Sequence, residues 1–210
     1  MIETALLHPA TAHPDRLLVV LAGPNGSGKS TFFEHYLAPL GLQFVNADLI
    51  AKSLAPQALE TPETVVYEAA QIADAERRLL LAEGQSFCME TVFSDPNQVK
   101  LDFLQEAVRQ GYTLFLVFLC LESPELNIAR VIQRVADGGH DVPDDKIVSR
   151  YPRSINNLRL ALPFVDFALL LDNSSVADPY RFIALLHHGN VIQRTDTVPQ
   201  WAAFLMEPTD

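Results

Sequence analysis

Residues 17–31, "LLVVLAGPNGSGKST", decide how the rest of the chain is read. Six apolar residues run unbroken into Gly23, and the spacing Gly23-x-x-x-x-Gly28-Lys29-Ser30 follows. An uninterrupted apolar run ended by glycine predicts a parallel strand buried on both faces. A triphosphate needs backbone N–H donors converging on it, so glycines must let the main chain wrap close and a helix N-terminus must face the anion. Gly23, Gly26 and Gly28 supply that wrap, and Pro24, Asn25, Ser27 and Thr31 complete the loop. Lys29 brings a cation to the β and γ phosphates, and the Ser30 hydroxyl offers a ligand to Mg²⁺. The stretch predicts a loop that binds ATP with Mg²⁺.

Working outward, the 210 residues (23.3 kDa) suit one well-filled domain spanning 1–210. A formal net charge of −11 with four lysines (Lys29, Lys52, Lys100 and Lys146) argues against a nucleic-acid or anionic-membrane partner and for a small-molecule substrate. The six-residue apolar run is too short for a signal or membrane segment, so a cytoplasmic location is expected. Cys88 and Cys120 sit in apolar runs without a CxxC spacing and read as small buried thiols.

The elements then alternate. Residues 1–15 read as an irregular arm and 29–37 as the helix that follows the loop. "LQFVNAD" (42–48) reads as a strand ending in a carboxylate, and Thr61-Pro62 opens a helix that stops at Gly84. "SFCMET" (86–91) is the third strand, and Asp95-Pro96 is expected to cap the next helix. "TLFLVFLCL" (113–121) and "FALLLDN" (167–173) are further strands, with helices from Ser123 and from Pro143 between them. The tail predicts a hairpin over about 181–195 turning at His188-Gly189-Asn190, then a short segment around Trp201. Five strands alternating with helices predict a three-layer α/β domain with a mostly parallel five-stranded sheet, which with the phosphate loop makes a P-loop NTPase/kinase fold the expectation.

Ligands of such sheets gather beyond the carboxyl ends of the strands, where three candidate sites fall. Asp48 is the candidate base that orients and deprotonates an acceptor hydroxyl, with capping of the following helix as its structural alternative. Glu90 competes for the base role or holds a Mg²⁺-bound water, beside Thr91. Asp172-Asn173 reads either as a turn or as a neighbour of the adenine. Arg130, Arg134, Arg150 and Arg153 lie on two helices around Gly138-Gly139 and predict an arginine lid over about 130–153 that closes on the triphosphate. Arg134, nearest the Gly-Gly turn, is the leading catalytic cation, and His140 lies in the turn itself.

The loop, the "FVNAD" segment, "GQSFCMETVFS", the lid "RVIQRVADGGHDVP" and "DNS" together resemble the zeta toxin family of P-loop kinases over most of the chain. Zeta toxins transfer the ATP γ-phosphate to the 3′ hydroxyl of the sugar in UDP-N-acetylglucosamine, and some pair with a helical antitoxin. The resemblance implies Lys29 and Ser30 at the phosphates, Asp48 as base, Thr91 as a substrate contact and Arg134 as a lid cation. It also implies an acidic substrate contact before the third strand, Asp74 or Glu76. The chain departs from the family where the third strand ends: Glu90 replaces a glycine and Phe93 an arginine. A second lid arginine, expected near Gly139-His140, is missing, which leaves Arg150 or Arg153 to take its role. The expected activity is an ATP-dependent kinase acting on a hydroxyl of a small polar metabolite, with UDP-N-acetylglucosamine the first candidate. The alternatives are another metabolite acceptor, or a nucleotide-dependent binding protein that hydrolyses ATP slowly.

Overall fold

The computed structural model describes residues 15–55, 61–139 and 141–206. Most of the expected N-terminal arm (1–14) and His140 lie outside the described residues. Five strands, β1 (Leu17–Ala22), β2 (Gln43–Val45), β3 (Phe87–Thr91), β4 (Thr113–Cys120) and β5 (Phe167–Asp172), run parallel in one sheet. The helical elements are α1 (Lys29–Phe32), continued by a π-helical turn (Phe33–Leu37), α2 (Ala47–Leu54), α3 (Pro62–Ala82), α4 (Val99–Arg109), α5 (Pro124–Ala136) and α6 (Asp144–Ala161).

The sheet has seven strands, not five. The C-terminal hairpin β6 (Arg181–His187) and β7 (Asn190–Arg194) joins it antiparallel at β5, giving the order β2-β3-β1-β4-β5-β6-β7. The reason lies in the side chains of β6, which are apolar on both faces: Ile183 and Leu186 enter one core, Phe182 and Leu185 the other. Only β7, exposed along its whole length, ends the sheet on that side.

Alternation along β1 builds both cores. Leu18, Val20 and Ala22 face a layer made by α3, α4 and α6, while Val19 and Leu21 face Phe32 at the end of α1 and Leu37 at the end of the π-helical turn. These β1 residues are 0–1% exposed, so the strand is fixed by burial on two sides. Its neighbours β3 and β4 lie on opposite sides, and the strand order reverses there. That reversal opens a crevice at the carboxyl end of β1, where the phosphate loop emerges.

Two boundaries differ from the sequence expectation, and both move candidate residues. β2 ends at Val45, so Asp48 stands in the first turn of α2 and not at a strand end. Asn46 outcompetes it as the cap, because its extended backbone lets its side chain accept from the N–H groups of Asp48 and Leu49. Asp95 does not start a helix either: α4 begins at Val99 behind Gln98, a left-handed residue (φ 56°). The Asp95 side chain still reaches forward, accepting from the Lys100 N–H at 3.2 Å.

Candidate functional site

The loop is braced from several sides. Gly23 (φ 143°) and Gly28 (φ 94°) hold backbone conformations that side chains rarely adopt. A methyl group on Gly23 would collide with the Leu119 carbonyl, and one on Gly28 with the Asn173 amide. Asn127 of α5 donates to the Asn25 carbonyl at 2.5 Å, and Arg150 of α6 to the Asn25 side chain at 3.4 Å. Asn173 donates to the Ser27 carbonyl at 2.9 Å, and the Tyr180 hydroxyl to the Gly28 carbonyl at 3.3 Å. The expected Asp172-Asn173 pair therefore divides. Asp172 is spent on the Trp201 indole, whose N–H it accepts at 2.8 Å, whereas Asn173 buttresses the loop.

Lys29 is buried (6% exposed) and donates to the carbonyls of Gly23 at 2.9 Å and Pro24 at 3.1 Å. Its ammonium stands 3.7 Å from the Glu90 carboxylate, an ion pair too long for a hydrogen bond. Burial lowers the Lys29 pKa from its ordinary value, opposed by Glu90 and Asp48. Burial likewise raises the Glu90 pKa, against the pull of Lys29, while Asp48 adds to the rise. Arg134 is near enough to add its charge to both members of the pair.

Two cavities flank this centre. One, of about 430 Å³, is lined by Gly28, Thr31, Tyr36, Arg130, Asn173 and Tyr180, with Val176 and Pro179 at its side. The Arg130 guanidinium is held there by the Asn173 carbonyl at 3.0 Å. Tyr36 and Tyr180 meet edge to face, their ring centroids 5.9 Å apart. Flat aromatic and guanidinium surfaces of this kind accept a planar ring system.

The other cavity, of about 510 Å³, brings together Asp48, Asp74, Glu90, Thr91, Arg150 and Arg153, with Arg77, Asp95 and Lys100. Thr91, Asp74 and Glu90 line it together with Arg150 and Arg153, whereas Glu76 does not and accepts from Gln43 at 2.7 Å. Asp74 is clamped by Lys100 at 2.6 Å and by Arg77 at 2.8 Å. The hydrogen bond from Lys100, with the nearby Arg77 charge, outweighs partial burial and lowers the Asp74 pKa. Arg77, itself buried, also donates to the Glu90 carbonyl at 3.2 Å.

Phe93 adopts φ 59°, an uncommon conformation for a bulky residue, and its side chain is 1% exposed. The 91–95 turn is pinned to α6, where Ser154 donates to the Val92 carbonyl at 2.7 Å and Asn157 to the carbonyls of Phe93 and Asp95. The Phe93 N–H in turn donates to the Thr91 hydroxyl at 3.0 Å. Phe93 thus packs into the core, and the arginine it replaces in the zeta toxin pattern finds no substitute at that position.

The lid arginines divide by cavity. Arg130 lines the smaller one and Arg150 and Arg153 the larger, whereas Arg134 lines neither. Sequence reasoning did not single out Asn46, Arg77, Lys100, Asn127, Tyr36 or Tyr180. None of them carries a local motif, and each acquires its position from a partner elsewhere in the chain. The two cysteines are buried free thiols, and burial pushes the Cys120 thiol up to about 12.

A glycine loop running from a buried strand into a helix, at the switch point of a mostly parallel sheet, defines a P-loop α/β protein. Within that class the chain belongs to the AAA domain family AAA_33, matched over residues 18–149. An uncharacterized protein of Haemophilus influenzae is 26% identical over 133 residues, which cover 63% of this chain and 91% of the relative. Among solved structures, the AvrRxo1-ORF1:-ORF2 complex with ATP is similar at TM-score 0.70 and 18% identity, over 95% of this chain and 68% of that one. The PezAT chromosomal toxin–antitoxin system of Streptococcus pneumoniae is similar at TM-score 0.57 and 15% identity, over 75% of this chain and 67% of that one. At these identities the likeness concerns the fold. Among the described residues no helix is long and apolar enough to cross a membrane.

Proposed function

We propose that the protein is a Mg²⁺-ATP-dependent kinase that transfers the γ-phosphate to a hydroxyl of a small polar metabolite, with UDP-N-acetylglucosamine the first acceptor to test. The observation that carries this reading is the pair of cavities at the phosphate loop. One has an aromatic and guanidinium lining suited to a nucleobase and opens at Gly28 and Thr31. The other holds Asp48 and a mixed wall of carboxylates and cations suited to a hydroxylated acceptor.

Within this reading Asp48 accepts the proton of the acceptor hydroxyl. The acceptor oxygen then bonds to the γ-phosphorus as the bond to the β–γ bridging oxygen breaks, and ADP leaves. Lys29 exchanges its contacts to Gly23 and Pro24 for phosphate oxygens, and Arg134 neutralises charge that develops during transfer. Arg150 and Arg153 orient the acceptor. Mg²⁺ is bound mainly by phosphates and water with one or two protein oxygens, a role the Ser30 hydroxyl at the start of α1 would take. When bound, Mg²⁺ neutralises phosphate charge.

A protein partner of antitoxin type belongs to the proposal as well, motivated by the toxin–antitoxin description of the PezAT structure. Phosphorus NMR of the purified protein with Mg²⁺-ATP, with and without UDP-N-acetylglucosamine, tests the reading. A new phosphomonoester signal that disappears in Asp48→Asn is expected. Slow ADP release unaffected by any sugar nucleotide or other metabolite would replace the kinase reading with that of a nucleotide-dependent binding protein.

A further inference from the structure

Asn46 occupies the junction between the acceptor side and the phosphate side, and both ends of its side-chain amide are engaged. Its side-chain carbonyl accepts from the Asp48 N–H at 2.7 Å and from the Leu49 N–H at 3.2 Å. Its amide donates to the Glu90 carboxylate at 2.7 Å, and the other oxygen of that carboxylate faces the Lys29 ammonium at 3.7 Å. The amide orientation is dictated by these partners, since backbone N–H groups require the carbonyl and the carboxylate requires the NH₂. Asn46 is itself buried (6% exposed).

The tie acts on a helix that lies along α3 but leaves a three-residue edge strand and has no fully buried residue of its own. Ala47 and Ile50 pack in part against the core. Aspartate at position 46 would cap the helix but set a second carboxylate against Glu90. Serine would cap it but is too short to bridge to Glu90. Asparagine alone among the strong capping residues does both.

We propose that Asn46 is a positioning residue that fixes Asp48 relative to the Lys29–Glu90 pair and so sets the distance between the acceptor's base and the phosphate. The inference rests on the kinase reading, in which Asp48 is that base. A purely capping role and a positioning role make opposite claims about Asn46→Ser, which keeps the cap and loses the tie.

The test compares the full-length wild type with Asn46→Ser and Asn46→Ala in two assays. In phosphoryl transfer with Mg²⁺-ATP, kcat of Asn46→Ser is expected to fall about 10–100-fold, close to Asn46→Ala, with ATP affinity within about threefold of wild type, as an ångström of misplacement would give. In hydrogen exchange read by mass spectrometry, the amides of α2 are expected to exchange about tenfold faster or more in Asn46→Ser, since a local tie sets the opening equilibrium. Wild-type kcat and wild-type α2 exchange in Asn46→Ser would overturn the inference and leave a cap. A wild-type protein with no Asp48-dependent transfer to any acceptor would sink the kinase reading instead, and the α2 exchange result alone would then decide whether Asn46 holds this helix to Glu90.

Discussion

The two cavities beside the phosphate loop are constructed differently. The smaller draws Gly28, Thr31 and Tyr36 from one continuous segment and closes over them with Arg130, Asn173 and Tyr180, two of which hydrogen-bond the loop backbone. The larger is gathered from α2, α3, the end of β3 with its following turn, α4 and α6, and coheres through side-chain ties such as Asn46–Glu90 and Asp74–Lys100. A backbone cradle specifies a phosphate whichever protein carries it. A wall of separately supplied side chains can be rebuilt one residue at a time, so the acceptor side is where specificity can diverge.

The sharpest break of this contrast is Lys29→Ala, which removes the one side chain shared by the loop and the Glu90 pair. Mg²⁺-ATP affinity should fall about a hundredfold or more, the loss of charge-assisted bonds to phosphate. Isothermal titration calorimetry checks it, and unchanged affinity would refute the loop as the nucleotide site. Next comes Asp48→Asn, which should slow transfer by about 10²–10⁴ while leaving ATP binding intact, as loss of a general base requires. Single-turnover kinetics beside a binding isotherm separate those two quantities.

A smaller pair of effects tests the contrast symmetrically. Arg153→Ala should raise the acceptor KM about tenfold without changing that for ATP, and Arg130→Ala should do the reverse, each losing one hydrogen bond to a charged or polar ligand group. Equal effects of both variants on both substrates would mean that the cavities do not divide donor from acceptor. The least effect is expected of Asp74→Asn. The Asp74 pKa is depressed in the folded protein, so its pairing with Lys100 and Arg77 stabilises above the unfolded value and is lost as pH falls through the folded one. Because Asp74 is nearly half exposed, the difference in stability at pH 7 should be about 1 kcal/mol or less. It should shrink as pH falls below the ordinary aspartate value and vanish once pH has passed the depressed folded one, which thermal melts taken down through the acid range would detect.

Gly28 and Thr31, the phosphate loop's share of the smaller cavity, could be read directly from residues 23–31, because such a loop is one contiguous stretch whose glycines announce its backbone. The parallel strands were equally visible as apolar runs. Expectations slipped where short-range signals competed: Asp48 and Asp95 both looked like strand-end or capping carboxylates, yet Asn46 won the cap of α2 and Gln98 preceded α4. Phe93 stood out as a departure from a family pattern, but only its burial and its left-handed backbone tell that it is a core residue of the turn.

The buried strand, the loop and the helix that follows are legible in the chain's local order, since each depends on neighbours within a few positions and on the conformational freedom of glycine. That order also marked the acidic and basic residues available for chemistry. Which of them face the same space was settled by the packing of distant segments. It set Asp74 in the wall of the larger cavity and left Glu76 to Gln43, sent Arg130 to one cavity and Arg153 to the other, and joined Asn46 to Glu90 across 44 positions of chain. Such pairings are set by the order of strands in the sheet and by the burial that holds it together, and neither is written in any local stretch.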